Sequence, residues 1–174
     1  DADTRVRFVP NGTNFGTNDI TFRAWDQTDG INGDTSYDTT NTGGNTPFST
    51  ATETASVYVD DTPALVSAAT TAYTENDPAT VVDNSITLTD DSVNMVGAKT
   101  RISANYIEGE DVLSFTPVGN ITGVFDAPSA TLILSGVDTI ANYQAALRSV
   151  AFYSSSENPG AAGGLTRTIS FDVD

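Results

Sequence analysis

A chain of 174 residues with 23 acidic against 7 basic residues carries a net charge of -16. That balance argues against nucleic acid and anionic membrane surfaces as partners and makes cations the natural ones. There is no cysteine and no histidine, which excludes a disulfide framework, a thiolate metal site and hydrolytic triads of the usual form.

The length suits one large domain or two small ones. Of the acids 18 are Asp and 5 are Glu. Short carboxylates in turns suit oxygen ligation of Ca²⁺, although they also cap turns and keep a protein soluble. No apolar run reaches membrane-spanning length and no signal-peptide pattern opens the chain. A start at Asp1 without Met predicts a fragment, a processed product or one segment of something longer.

In chain order, Arg5 to Pro10 alternates as a strand and breaks at Asn11-Gly12. Asp19 to Asp26 is a second strand, with Ile20, Phe22 and Ala24 on one face. Residues 27–50 are Asp, Thr, Asn and Gly with almost no apolar side chains, which predicts a long polar surface loop. Thr54 to Asp60 is a third strand, leading to the acidic linker Asp60-Asp61-Thr62-Pro63. Three strands cannot bury both faces of a sandwich, so residues 1–62 are expected to form the C-terminal half of a β-sandwich repeat. Residues 63–174 are expected to form a complete one.

In that second part, strands are predicted at Leu65 to Tyr73, Ser85 to Thr89, Ala98 to Ile107, Val112 to Phe115, Gly123 to Phe125, Thr131 to Leu134, Val150 to Tyr153 and Thr166 to Val173. One helix interrupts them: Asp138 or Thr139 can cap it, and Ile140, Tyr143 and Leu147 share a face. Seven or eight short strands at close spacing predict an all-β, immunoglobulin-like sandwich with one short helix.

The segments Tyr-Thr-Glu-Asn-Asp-Pro-Ala at 73–79, Gly-Glu-Asp-Val-Leu-Ser-Phe at 109–115, Asn-Tyr-Gln-Ala-Ala-Leu-Arg-Ser-Val at 142–150 and Arg-Thr-Ile-Ser-Phe at 167–171 together resemble the cadherin-like repeats of giant bacterial surface proteins and RTX-type adhesins. Arg-Val-Arg-Phe-Val-Pro-Asn at 5–11, with Ile-Thr-Phe-Arg-Ala-Trp-Asp at 20–26, resembles the closing half of a neighbouring repeat. The resemblance covers most of the chain. It implies a cadherin-like sandwich at the cell surface, rigidified by Ca²⁺ and without catalysis.

Strand direction then sorts the acids into two expected clusters. If the first strand after the linker runs away from it and the next returns, Asp60, Asp61, Asp90 and Asp91 meet at the linker end. Glu75, with Asp77 beside it, meets Glu110 and Asp111 at the far end, where the last strand is expected to deliver Asp172 and Asp174. Several carboxylates brought together repel unless a cation with six to eight oxygen ligands compensates them, and Ca²⁺ is that cation. The stretch Tyr73 to Asp91 is expected to span the module and couple it to two neighbours.

Other constellations point elsewhere. Paired carboxylates at turns, with no apolar pocket to raise one pKa, do not suggest a glycosidase. Trp25, with Tyr37 and Tyr58, can stack on a sugar or pack at an edge. Lys99, the one lysine, can form an isopeptide bond with an Asn. Asn11-Gly12-Thr13 and Asn120-Ile121-Thr122 fit the glycosylation pattern. The expectation is an extracellular extender module of a large bacterial surface adhesin, its partners neighbouring repeats or further copies of the chain and a glycan or cell-surface ligand. The alternatives are a fibre subunit assembled head to tail by β-strand complementation and a Ca²⁺-dependent carbohydrate-binding module.

Overall fold

A computed structural model describes residues 7–12, 14–31, 33, 38–160 and 164–173. The chain divides into two compact units, residues 1–60 and 61–174.

The first unit is built on one hairpin. β1 (Gly16–Trp25) pairs antiparallel with β2 (Phe48–Val59), from Gly16 opposite Val59 to Trp25 opposite Phe48, with a bulge between Arg23 and Trp25. Its polar face is stitched across the strands by Thr21 and Thr54, whose hydroxyls lie 3.1 Å apart, and by the Ser56 hydroxyl donating to Asp19 at 2.6 Å. Ile20 and Ala55 pair on the other face, one register step from Phe22 and from Val57.

β2 starts six residues before the predicted Thr54. The polar stretch Phe48–Glu53 is a strand because β1 supplies its ladder, which apolar periodicity cannot reveal. The polar loop therefore closes a hairpin. Residues 7–10 are not in a strand, and Asp1 to Val6 lie outside the described residues.

The second unit is an all-β sandwich with one short helix. One sheet has the order β4 (Thr80–Val81), β10 (Ala151–Ser154), β7 (Asp111–Ser114). The other has the order β11 (Thr168–Val173), β6 (Asn94–Ala104), β9 (Thr131–Thr139), β8 (Thr122–Asp126). A small pair, β3 (Ala64–Val66) with β5 (Thr87–Thr89), completes the ladders.

Alternation, reset on β6 by an irregularity between Met95 and Gly97, sends Met95, Ala98, Ile102, Leu113, Leu132 and Leu134 inward, where they are fully buried. The helix α1 (Ile140–Arg148) begins at Thr139, whose hydroxyl accepts the Asn142 N–H at 3.2 Å. It buries Tyr143 and Leu147 against the sheets.

The first predicted strand shrinks to Ala64–Val66, and residues 67–79 run on without a ladder. The Ala and Thr residues there offer too little apolar area to fix a register.

Strand direction fixes where the loops go. β6 leaves the Asp91 end and reaches the Glu108–Asp111 turn. β11 is antiparallel to β6, with Thr168 opposite Ala104 and Val173 opposite Ala98. The last strand therefore runs back towards the Asp91 end, against the expectation that it carries Asp172 to the far end. It also lies against β3. Asp61 and Val173 thus approach the same end of this unit, while Tyr73 to Asp91 runs from the Asp111 end, where the Tyr73 hydroxyl meets Ser154, to the Asp91 end, where Asp91 meets Asp61.

Candidate cation sites

Among the described residues three carboxylates are buried, and the chain itself satisfies each one. Asp83 is 2% exposed. It accepts the Ser85 hydroxyl at 2.6 Å, the Ser85 N–H at 2.7 Å, the Ser67 hydroxyl at 2.8 Å and the Ala68 N–H at 3.3 Å. The Ser85 hydroxyl contributes most to lowering its pKa to about 2, against the opposing effect of burial.

Asp138 accepts from the Asn120 N–H at 2.7 Å, the Thr139 N–H at 2.8 Å and the Asn142 side chain at 2.6 Å, and these bonds hold its pKa down. Asp111, 1% exposed, accepts the Ile107 N–H at 2.9 Å and pairs with Arg167 at 2.6 Å. Each carboxylate pins a loop to the sandwich.

The Asp83-Asn84-Ser85 geometry recurs in the first unit. The Thr28 hydroxyl and N–H both donate to Asp26, and those of Thr40 to Asp38. In each pair the hydroxyl bond is the larger cause of a lowered pKa. Asp followed two residues later by Ser or Thr is the sequence signal for these turns. It marks Asp83, which the acidic-cluster reading passes over.

Of the expected linker-end acids, Asp61 and Asp91 are brought together. The Asp61 N–H donates to the Asp91 carboxylate at 3.2 Å, and the Asp91 N–H donates to Asp90 at 3.0 Å. Asp60 closes the first unit.

At the far end, Asp77 caps its own turn, accepting the Thr74 N–H at 3.3 Å, with Glu75 exposed in the same turn. The Tyr73 hydroxyl meets both Asp77 and Ser154, Ser154 pairs with Asp111, and the Glu110 carbonyl accepts the Ser155 N–H at 3.0 Å. Asp77, Glu110 and Asp111 thus share one end of the unit. The counter-charge expected there from a cation is supplied at Asp111 by Arg167.

Asp172 is exposed opposite Lys99 on β6. Antiparallel pairing moves it away from this group, and Asp174 lies outside the described residues. Among the described residues no three acidic side chains converge as a metal-holding group.

The aromatic constellation separates. Trp25 pairs with Phe48 and Tyr58 with Thr17, about 27 Å apart by strand rise, too far for one sugar ring to touch both. The Trp25 indole N–H is also taken by the Asp29 carbonyl at 2.8 Å. Tyr37 and Thr13 lie outside the described residues.

In the second unit a groove of about 650 Å³ runs beside β11. It is lined by Tyr73, Val82, Phe152, Ile169 and Phe171 together with the Ala69–Ala72 segment. Comparison of the chain with protein-family models, with curated proteins and with solved structures gives no match.

Proposed function

We propose that this chain is a non-catalytic structural module of an extracellular surface protein, of the cadherin-like kind, stabilised by Ca²⁺. The observation that carries this reading is the fate of its buried acids. Asp83, Asp111 and Asp138 are saturated by donors of the chain itself, so they hold loops in place rather than standing ready to move protons. The remaining candidate acids lie in turns and on strand surfaces, where a hard cation finds oxygen ligands without desolvating a cleft.

Asp61, Asp90 and Asp91 are the best placed to take Ca²⁺, because two of these carboxylates already sit within one hydrogen-bonded turn. Calorimetric titration of Ca²⁺ into EDTA-treated protein tests it. Heat on binding and a raised melting temperature are expected, both reduced in Asp91→Ala. No heat with an unchanged melting temperature rejects the Ca²⁺ part.

A second reading is favoured by the hairpin. Two strands alone are marginal in water, and Phe22 is 41% exposed beside Ile20 and Ala55. Completion of that face by another copy gives a head-to-tail fibre. Size-exclusion chromatography and electron microscopy decide: filaments at high concentration support it, and a compact monomer at every concentration rejects it.

A further inference from the structure

The turn Thr74–Asp77 places a hydrogen-bond donor on the carbonyl of a peptide bond that has its own nucleophile attached. Asp77 precedes Pro78, and this is the one Asp-Pro sequence among the seven prolines of the chain. The Tyr73 hydroxyl lies 3.1 Å from the Asp77 main-chain carbonyl oxygen. Its position is fixed from the other side, where it accepts the Ser154 N–H at 3.1 Å and lies 3.0 Å from the Ser154 carbonyl. The single hydroxyl hydrogen is shared between the two carbonyls.

The ring is held edge-on to Phe152, with centroids 5.1 Å apart. Within the turn, Asn76 has φ of 65°, a left-handed conformation for a residue with a side chain. The Thr74 N–H holds one carboxylate oxygen of Asp77 at 3.3 Å.

We propose that the Asp77–Pro78 bond is a self-cleavage site, with Asp77 as nucleophile and Tyr73 as the donor that stabilises the oxyanion. This goes beyond the structural reading and involves a single turnover on the chain itself.

Asp77 Oδ1 attacks its own residue's carbonyl carbon, forming a C–O bond in a five-membered ring. The carbonyl π electrons move to the oxygen that Tyr73 contacts. On collapse the C–N bond breaks, its electron pair stays on the Pro78 nitrogen, and that nitrogen takes a proton from solvent. The Asp77 residue is left as a cyclic anhydride. One water opens it, giving two carboxyl groups on Asp77 and a secondary amine at Pro78. The sum is hydrolysis of one peptide bond.

Pro78 suits the leaving role because its nitrogen departs as a secondary amine, a basic group that readily takes the proton. The attached carboxylate replaces a bimolecular attack by an intramolecular one. Around the turn, Tyr73 and Glu75 are its own titratable side chains besides Asp77. β10 meets it with Phe152 and Ser154, which do not titrate, and Glu110 and Asp111 of the neighbouring turn and β7 pair with the end of β10. The cut ends stay associated through β3 and β5 and through the Ser67–Asp83 bond, so cleavage shows on a denaturing gel and not as a change of native size.

The test is incubation of the intact chain at about pH 4, near the ordinary carboxyl pKa, below its melting midpoint, beside the same chain in guanidinium. Mass spectrometry then reads out fragments 1–77 and 78–174. Native protein is expected to cleave roughly tenfold or more faster than denatured protein, with Tyr73→Phe reduced to the denatured rate and Asp77→Ala uncut. A native rate no higher than the denatured one overturns the proposal, as does a folded Tyr73→Phe that cleaves like the parent. Where Tyr73→Phe does not fold, the native-against-denatured comparison decides by itself.

Discussion

Arg167 and Asp111 form a buried ion pair, Nε to Oδ2 at 2.6 Å, with side chains 8% and 0% exposed. The same guanidinium donates to the carbonyls of Pro159 and Gly164 at 3.1 and 2.9 Å, so one side chain ties two parts of the loop before β11 to the start of β7. Removing Arg167 leaves a desolvated carboxylate unpaired, which costs about 3–5 kcal/mol. Urea denaturation of Arg167→Met should show that loss. The double variant Arg167→Met with Asp111→Leu should recover most of it, and a loss below about 1 kcal/mol in the single variant would show the pair to be replaceable by water.

Asp83 makes a separable prediction, because its pKa falls to about 2 on folding. A carboxyl with a depressed folded pKa contributes stability that is fully present above the unfolded value of about 3.9. That stability is lost as pH falls through the folded value. The urea midpoint should therefore drop between about pH 4 and pH about 2. Asp83→Asn should flatten that part of the curve while being less stable at neutral pH. An unchanged slope in the variant would assign acid sensitivity to other groups.

The elements most legible in the sequence were those with strong periodicity. Helix α1 appears where Ile140, Tyr143 and Leu147 share a face and Thr139 caps it, and the alternation in the later strands of the second unit carries their inward residues. Phe48–Glu53 was not legible, because its strand character comes from hydrogen bonds to β1 across a long loop. The acids show the same division. Asp61 and Asp91 meet because β3 and β5 are adjacent antiparallel strands, which local sequence order suggests. Asp172 depends on the pairing partner of β11, and hydrophobic pattern alone does not choose among β6, β4 and β8. Asp111 was legible as an acid, but its partner Arg167 is 56 residues away in sequence.

Thr100 is fully buried on β6, and its hydroxyl is the one buried side-chain polar atom among the described residues without a hydrogen-bond partner. Valine keeps the β-branched shape that a strand favours and removes the unsatisfied group. Thr100→Val is expected to stabilise the protein by about 1 kcal/mol. Thermal or urea melts will show it, and a destabilised variant would mean that the hydroxyl has a bound water as partner.

The return of β11 towards the Asp91 end bears on how such a unit can be joined to others. A spacer loaded from pole to pole needs its entry and exit at opposite ends, separated by at least the length of its longest strand. For the 11 residues of β6 that is about 36 Å. Here β3 lies against β11, and Val173 stands opposite Ala98 rather than beyond Ala104, so a chain passing through the unit doubles back. Spin labels at Thr62→Cys and Asp172→Cys, both exposed in the parent, should give a distance distribution centred well below that strand length. A peak at or above it would mean that β11 pairs in the opposite direction, and it would restore the far-end grouping of Asp172 with Glu75 and Glu110. A short distance instead gives the unit one connected end and one unconnected end. The unconnected end then carries Glu75, Asp77 and Glu110, and mutations there should leave coupling to neighbouring modules unchanged while those at Asp61 and Asp91 alter it.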